Sequence, residues 1–310
     1  MFAATRAVDS VRRFFDSDIY FAFKGSKVTI VAFAWTVIAV LSALFAPLIS
    51  PQNPFDPASL SLLDAFTPPV WSDEGTWTFW LGTDDQGRDM FSAILYGSRI
   101  SLLVGFASIL FAMVLGVGLG LIAGYQGGVT DAAIMRVADV QISFPAILIA
   151  LLVDGVARGV FPAEVHEELA VYVLVFAIGI SNWVQFARTV RGSTMVEKNK
   201  EYVQAARVIG RRPLFIMVRH VLPNVMGPVL VIATIGLAVA VLTEATLSFL
   251  GVGVPPTEPS LGTLIRIGND FLFSGEWWIV IFPGFALAAL VLSVNLLGDW
   301  LRDALNPKLR

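Results

Sequence analysis

The chain has 310 residues, 56% hydrophobic and only 15% charged, with a mean hydropathy of +0.75 and a net charge of −3. Soluble domains carry about a quarter charged residues, so this composition leaves too little polar surface to cover the chain in water and points to a membrane protein. The absence of cysteine excludes disulfides and cysteine zinc sites, His166 and His220 are too far apart in sequence for metal-ligand spacing, and the near-neutral charge leaves no footprint for nucleic acid.

A helix crossing the roughly 30 Å hydrocarbon layer needs about 20 apolar residues at about 1.5 Å each. Charge-free runs of that size cover 28–49, 100–125, 169–187, 221–243 and 277–298. A sixth run, 132–153, carries Arg136 and Asp139 in its first turns. Backbone groups inside lipid have no water to pair with, so these runs predict helices. The fold class is therefore all-α and polytopic, with about six transmembrane helices.

In chain order, residues 1–27 come first, as a basic N-terminal segment. Its Phe14, Phe15, Ile19 and Phe23 beside Arg12 and Arg13 fit an interfacial amphipathic helix and a frayed tail equally. The run at 28–49 is longer than the core of a signal peptide, about 7–15 residues, and follows a long charged stretch, so it reads as an anchor and not as a cleaved leader. The loop at 50–99 opens on Pro51, Pro54 and Pro57 and carries Pro68 and Pro69, which predicts ordered coil with short turns. It is acidic, and Arg88 among Asp84, Asp85 and Asp89 reads as a brace. Residues 100–301 hold the other spans, interrupted by a basic loop at 188–220, and 302–310 form a tail. With the N-terminus in the cytoplasm, all but Arg88, Arg99, Arg158 and Arg266 of the 21 lysines and arginines fall on the cytoplasmic side. This predicts both termini and the 188–220 loop inside and the 50–99 loop outside.

The 188–220 loop holds the most specific pattern. Residues 197–209 lack proline and glycine, Gly210 sits where a helix would stop, and Pro213 suits the first turn of a second helix. The expectation is a helix–turn–helix outside the membrane. Ala205 and Ala206 would let another surface approach the backbone closely. Tyr202, Val203, Val208 and Ile209 offer apolar contact, and Arg207, Arg211 and Arg212 a charged rim. The whole has the form of a helix laid in a partner's groove.

Gln204-Ala205-Ala206, Gly210 and His220-Val221-Leu222-Pro223 resemble the EAA loop of ABC importer permeases. That pattern reads Glu-Ala-Ala, three residues, Gly, nine residues, Ile-x-Leu-Pro. Gln204 replaces the Glu, and His220 in Arg-His-x-Leu-Pro-Asn is similar to the peptide and nickel subfamily. Leu81-Gly-Thr-Asp-Asp-Gln-Gly-Arg-Asp89, Gly124-Tyr-Gln-Gly-Gly-Val-Thr-Asp131, Ser143-Phe-Pro145 and the stretch from Glu244 through Pro256 resemble the same family in the same order. The N-terminal arrangement resembles the C-type of its two paralogues. The resemblance implies a type I importer fold in a bacterial inner membrane, with the lipid bilayer around it. It implies a peptide-class substrate and, as partners, a paralogous permease, two ATP-binding subunits and an extracytoplasmic binding protein. ATP and magnesium would belong to the partner subunits, with no cofactor in this chain. Tyr202, Gln204, Ala205, Ala206, Arg207, Gly210, Arg211, His220 and Pro223 would form the ATPase-coupling surface, and Asp84, Asp85, Arg88 and Asp89 would meet the binding protein.

Other residues carry two readings each. Arg136 and Asp139 are spaced to pair on one helix face. Asn182 and Gln185 suit either the pore or interhelical hydrogen bonds, and Glu244 either a substrate exit, a subunit contact or a structural bond. Gly116, Gly118 and Gly120 superficially match a dinucleotide fingerprint, but inside a span they read as helix packing. No Gly-x-x-x-x-Gly-Lys-[Ser/Thr] occurs, so the chain has no P-loop. A stand-alone secondary transporter or channel is the competing function; it calls for repeated halves, broken helices and intramembrane carboxylates.

Overall fold

The computed structural model describes residues 23–305; both readings of the 1–22 stretch, and the tail at 306–310, lie outside the described residues. Helix α1 (Lys27–Leu44) starts where the Ser26 hydroxyl accepts the Thr29 N–H at 3.3 Å. A short α2 (Ala46–Ile49) leads into the proline-rich loop, which contains two 3-10 turns, Pro57–Ser59 and Leu62–Asp64. Helix α3 (Met90–Gln126) begins well before the charge-free run at 100, because Asp89 caps it by accepting the Ser92 N–H at 2.9 Å. Then come α4 (Gly128–Ile142), α5 (Ala146–Val160), α6 (Ala163–Glu197), the short α7 (Glu201–Val208) and α8 (Pro213–Ile216), α9 (Leu222–Phe249), α10 (Leu261–Phe271) and α11 (Trp278–Leu305).

Among the described residues, five stretches are long and apolar enough to span a membrane: Lys27–Leu44, Met90–Gln126, Glu164–Glu197, Pro213–Phe249 and Trp278–Ala304. The sixth expected span, 132–153, is not one helix. It is replaced by α4 and α5, which meet at a bend of 92°. Pro145 has no N–H and disfavours helical backbone at Phe144, so one helix stops at Ile142 and another starts at Ala146. The pair still runs from one end of α6 to the other. Near the α6 C-terminus Arg191 reaches Asp131 of α4, Nη2 to Oδ2 at 2.6 Å, and near its N-terminus His166 lies 3.2 Å from Asp154 of α5.

Helices α3 and α6 make the largest contact in the bundle. Gly116, Gly120 and Gly124 face α6, and a Cβ there would fall 2.4 Å from the Trp183 carbonyl oxygen, 2.5 Å from that of Ala187 and 2.7 Å from that of Arg191. At Gly116 and Gly120 glycine thus serves close helix packing and not a nucleotide, whereas Gly118 faces open space. Toward the other end of α3, the fully buried Glu244 of α9 accepts the Ser101 hydroxyl at 2.6 Å and the Ser248 hydroxyl at 2.8 Å. Ser101 Oγ in turn accepts the Leu261 N–H at 3.3 Å, so one carboxylate and one hydroxyl join α3, α9 and α10. Helix α1 lies against α11, with the Thr36 hydroxyl donating to Ser293 at 3.0 Å.

The two kinds of glycine predict opposite outcomes. Gly120→Ala forces backbone apart and should destabilise the bundle by about 1–3 kcal/mol. Gly118→Ala has room for its methyl and should be neutral or stabilising by up to about 1 kcal/mol. Thermal unfolding of both variants in detergent checks this, and equal effects would contradict the packing account.

Candidate functional site

The helix–turn–helix between α6 and α9 is bolted to the bundle from three sides. Lys198 Nζ donates to the Gly124 carbonyl at 2.7 Å and to that of Tyr125 at 3.3 Å, placing a cation on the C-terminal carbonyls of α3. The Arg207 guanidinium sits over the Tyr125 ring, 5.1 Å from its centroid. The Tyr202 hydroxyl donates to Glu197 at the end of α6 and accepts from Asn224 Nδ2 at 3.0 Å at the start of α9. Lost hydration and the adjacent Glu197 carboxylate push the phenol up to about 12, so it stays a donor at neutral pH.

The turn behaves as its glycine suggests. Gly210 has φ +79°, its N–H donates to the Arg207 carbonyl at 2.9 Å, and the Arg211 N–H donates to that of Ala206 at 3.1 Å. Those two bonds form a Schellman cap. Beyond it, Val208 is 88% exposed, Ile209 74% and Leu214 67%, an apolar tip on a segment framed by arginines. Arg211 covers the Phe215 ring at 5.1 Å, and the His220 ring lies 5.7 Å from that of Phe215. Upstream of Pro223 the helix takes a π turn, Met217–Val221, because a proline supplies no N–H and crowds the carbonyl four residues back. Asn224 Nδ2 meets the His220 carbonyl there at 2.7 Å.

The expected coupling surface is corrected at one position. Gln204 and Ala205 are exposed, but Ala206 is buried in the chain's own core, together with Val203. Helical spacing turns neighbouring alanines to different faces, and the inner face of α7 is claimed by the bundle. Ala206 therefore cannot meet a partner, and Ala205 is the small residue on the outer face.

In the loop before α3 the reading of Arg88 as a brace holds, and the binding-protein contact expected of Asp84, Asp85, Arg88 and Asp89 is corrected. Asp84, Arg88 and Asp89 are buried, and Asp85 is half-buried. Asp84 Oδ1 accepts the Gln86 and Arg88 N–H groups, each at 2.9 Å, and Arg88 Nη1 lies 3.7 Å from Asp84 Oδ2. Arg88 Nη2 also donates to Gln86 at 2.7 Å and to the Pro256 carbonyl at 3.2 Å. Gln52 accepts the Asp89 N–H at 2.7 Å, and the Trp278 indole donates to Thr83 at 3.0 Å. These side chains brace the loop onto α3, α11 and the 255–256 turn, so they are structural and not a contact surface. Burial raises the Asp84 carboxyl to about 6 despite its backbone donors and Arg88, and it raises Asp89 as well.

Residues 116–310 match the protein family described as binding-protein-dependent transport system inner membrane component. The chain belongs to that family. It is 40% identical to the dipeptide transport system permease protein DppC of Escherichia coli (strain K12) over 288 residues, covering 93% of this chain and 91% of that one. It is 38% identical to DppC of Haemophilus influenzae over 293 residues, covering 94% and 95%. Identity to the oligopeptide transport system permease protein OppC of Bacillus subtilis (strain 168) is 36% over 294 residues, covering 94% and 90%. Among solved structures, two crystal forms of the MetNI methionine ABC transporter in inward facing conformations align with TM-score 0.53, covering 70% of this chain and 98% of theirs at 19% and 22% identity, and share its fold. This inner membrane component is thus a multi-pass permease and not the ATP-hydrolysing part of its system. A binding-protein-dependent ABC system implies an ATPase and a binding protein as its partners.

Within the permease, Asp139 does not pair with Arg136. It accepts from Arg188 of α6 at 2.6 Å, because the neighbouring helix offers a guanidinium directly opposite. Asn182 is buried and bonds its own helix, donating to Ile178 at 2.8 Å, while Gln185 is exposed. Glu244 makes the buried structural bonds described above. Sequence reasoning missed Gln141, which accepts the Trp183 indole N–H at 2.6 Å and donates to the Ile180 carbonyl. It also missed Asp154, buried beside His166 and accepting Arg158 Nε at 2.6 Å. The four-residue spacing of Asp154 and Arg158 was a visible signal; the approach of His166 across a turn was not.

The raised Asp84 carboxyl predicts a pH dependence. The folded loop binds this proton more tightly than the unfolded chain does, so its stability should fall as pH rises from 3.8 to about 6 and level off above. Asp84→Asn keeps the oxygen that accepts the two N–H groups and removes the titration. Protease resistance of the loop at pH 5 and pH 7 should differ in the parent and differ much less in the variant; identical pH profiles would refute the assignment.

Proposed function

We propose that this permease forms half of the translocation pathway of an ATP-driven importer of peptides or peptide-like solutes. The observation that carries the proposal is the exposed apolar tip of Val208, Ile209 and Leu214 on a helix–turn–helix fastened to α3, α6 and α9. The names of the relatives support the peptide class. A paralogous permease forms the other half, and two ATP-binding subunits, which hold ATP and magnesium, each receive one coupling helix. An extracytoplasmic binding protein delivers the solute on the opposite side. The distribution of lysine and arginine supports a cytoplasmic 188–220 loop and cytoplasmic termini.

The attachments explain how force is passed on. When the two ATP-binding subunits close, the tip is carried with them. Lys198 and Arg207 hold it to the end of α3, while Tyr202 and Asn224 hold it to α6 and α9. The three long helices therefore move as one body, and the permease shifts between inward-open and outward-open packings. Gln204, Ala205, Arg211 and the apolar tip form the docking face, with Gly210 and Pro223 shaping the helices behind it.

Two experiments test this. Ala205→Trp should weaken binding of the ATP-binding subunit in nanodiscs without lowering the melting temperature. Ala206→Trp should overpack the bundle, at about 1–3 kcal/mol, and lower it. Unchanged ATPase affinity for Ala205→Trp would place the docking face elsewhere. In this cysteine-free chain, an impermeant thiol reagent added to intact cells should label Thr76→Cys and spare Lys198→Cys; the reverse pattern would invert the topology.

A further inference from the structure

The break between α4 and α5 lies level with the middle of the long apolar helix α6. Three contacts set its depth. Gln141 donates to the Ile180 carbonyl, the Trp183 indole N–H reaches Gln141 at 2.6 Å, and the Ser181 hydroxyl donates to the Ala146 carbonyl at 3.3 Å. Residues 180–183 stand at the middle of α6 and inside its charge-free run, 169–187. The same level of α6 meets the middle of α3, where Gly179 faces Ser108 and Phe111.

Broken backbone at this depth leaves groups without partners. Among the described residues, the carbonyls of Ile142, Ser143 and Phe144 accept no hydrogen bond, whereas the carbonyls just before and after them do. Ser143 turns its own hydroxyl back to the Asp139 carbonyl at 2.9 Å and so does not relieve them. Phe144 is 58% exposed and Val140 62%. Beside the break, a cavity of about 340 Å³ between α3, α4 and α6 is lined by Gln141, Trp183 and aliphatic side chains. Non-helical backbone at membrane depth persists only where protein covers it or water reaches it, and discontinuous helices at mid-membrane are places where transporters hold their cargo.

We propose that the break at 142–145 lines the translocation pathway and that its free carbonyls receive the backbone N–H groups of the passing peptide. The inference rests on the peptide-importer reading above. Carbonyl acceptors match a feature common to every peptide, so the strip would recognise the class of solute and ignore its side chains. The Gln141 amide oxygen and nitrogen fasten the end of α4 to α6 beside the break that Pro145 imposes.

The test uses the assembled transporter in membranes, with single cysteines introduced as Ser143→Cys, Phe144→Cys and, as a control in an unbroken apolar helix, Leu110→Cys. A charged, membrane-impermeant thiol reagent should label positions 143 and 144 and leave 110 unlabelled. Two transported peptides of unrelated sequence should each slow labelling at 143 and 144 several-fold. Absence of labelling in both the resting and the vanadate-trapped transporter would show that protein covers the break, and would overturn the proposal. Labelling that transported peptides leave unchanged would show an aqueous wall without peptide contact, and would also overturn it. Peptide-stimulated ATPase activity of the unmodified complex is measured in parallel. Its absence counts against the importer reading itself, whereas its presence with unprotected cysteines counts against the strip alone.

Discussion

The contact between α3 and α6 sets the frame on which both ends of the permease depend. In lipid there is no hydrophobic gain from bringing two apolar helices together, so close backbone approach must supply the association. Gly116, Gly120 and Gly124 remove the side chains that would hold the helices apart, and the Trp183, Ala187 and Arg191 carbonyls fill the space. Once the two helices are in register, the end of α3 falls where Lys198 and Arg207 can grip it. The middle of α6 then falls where Gln141 and Ala146 of the broken pair can be held. One small-residue seam thus positions the exposed apolar tip and the α4–α5 break together.

Polar chemistry is unevenly shared along this frame. At the helix–turn–helix it is partly exposed, with cation–π contacts and a Schellman turn giving stiffness without hiding the apolar tip. In the loop before α3 it is buried, and Asp84, Arg88 and Asp89 are consumed in holding irregular backbone. The difference is one of exposure: the first keeps apolar side chains in the open on a stiff turn, and the second stays folded while presenting little of its own charge.

Features set by local spacing were legible in the sequence, and features set by tertiary facing were not. Gly210 and Pro213 announced a turn because glycine and proline act on their own backbone. The EAA-like pattern led to the right family for the same reason: it is a contiguous string. Five spans followed from apolar length alone. Pro145 was in plain view, yet it lay inside an apolar run, and composition cannot separate a span with a proline from two helices at a right angle. Ala206 and Ala205 are adjacent letters, and only the packing of α7 on the bundle decides which one faces outward. Asp139 had a cation three residues away and another on the neighbouring helix. Spacing favoured the first, and the fold chose the second. The acidic loop invited a surface reading because charge is usually solvated, whereas here the charges replace the hydrogen bonds that a coil lacks.

The Glu244 knot also has a consequence for how the chain reaches its native state. Ser101 and Glu244 are 143 residues apart, and Ser101 and Leu261 are 160 apart. As the chain is made from its N-terminus, α3 and α6 precede α9, and until α9 is made Ser101 has no Glu244 to bond. Only when α9 arrives does Ser101 meet Glu244, and only with α10 does its oxygen gain the Leu261 N–H. Closing so long a loop gives no early reward and comes late in assembly. A chain cut short before Glu244 would therefore leave Ser101 inside the bundle without its acceptor, and one cut before Leu261 would leave the Ser101 oxygen without the N–H that ties α10 to the knot.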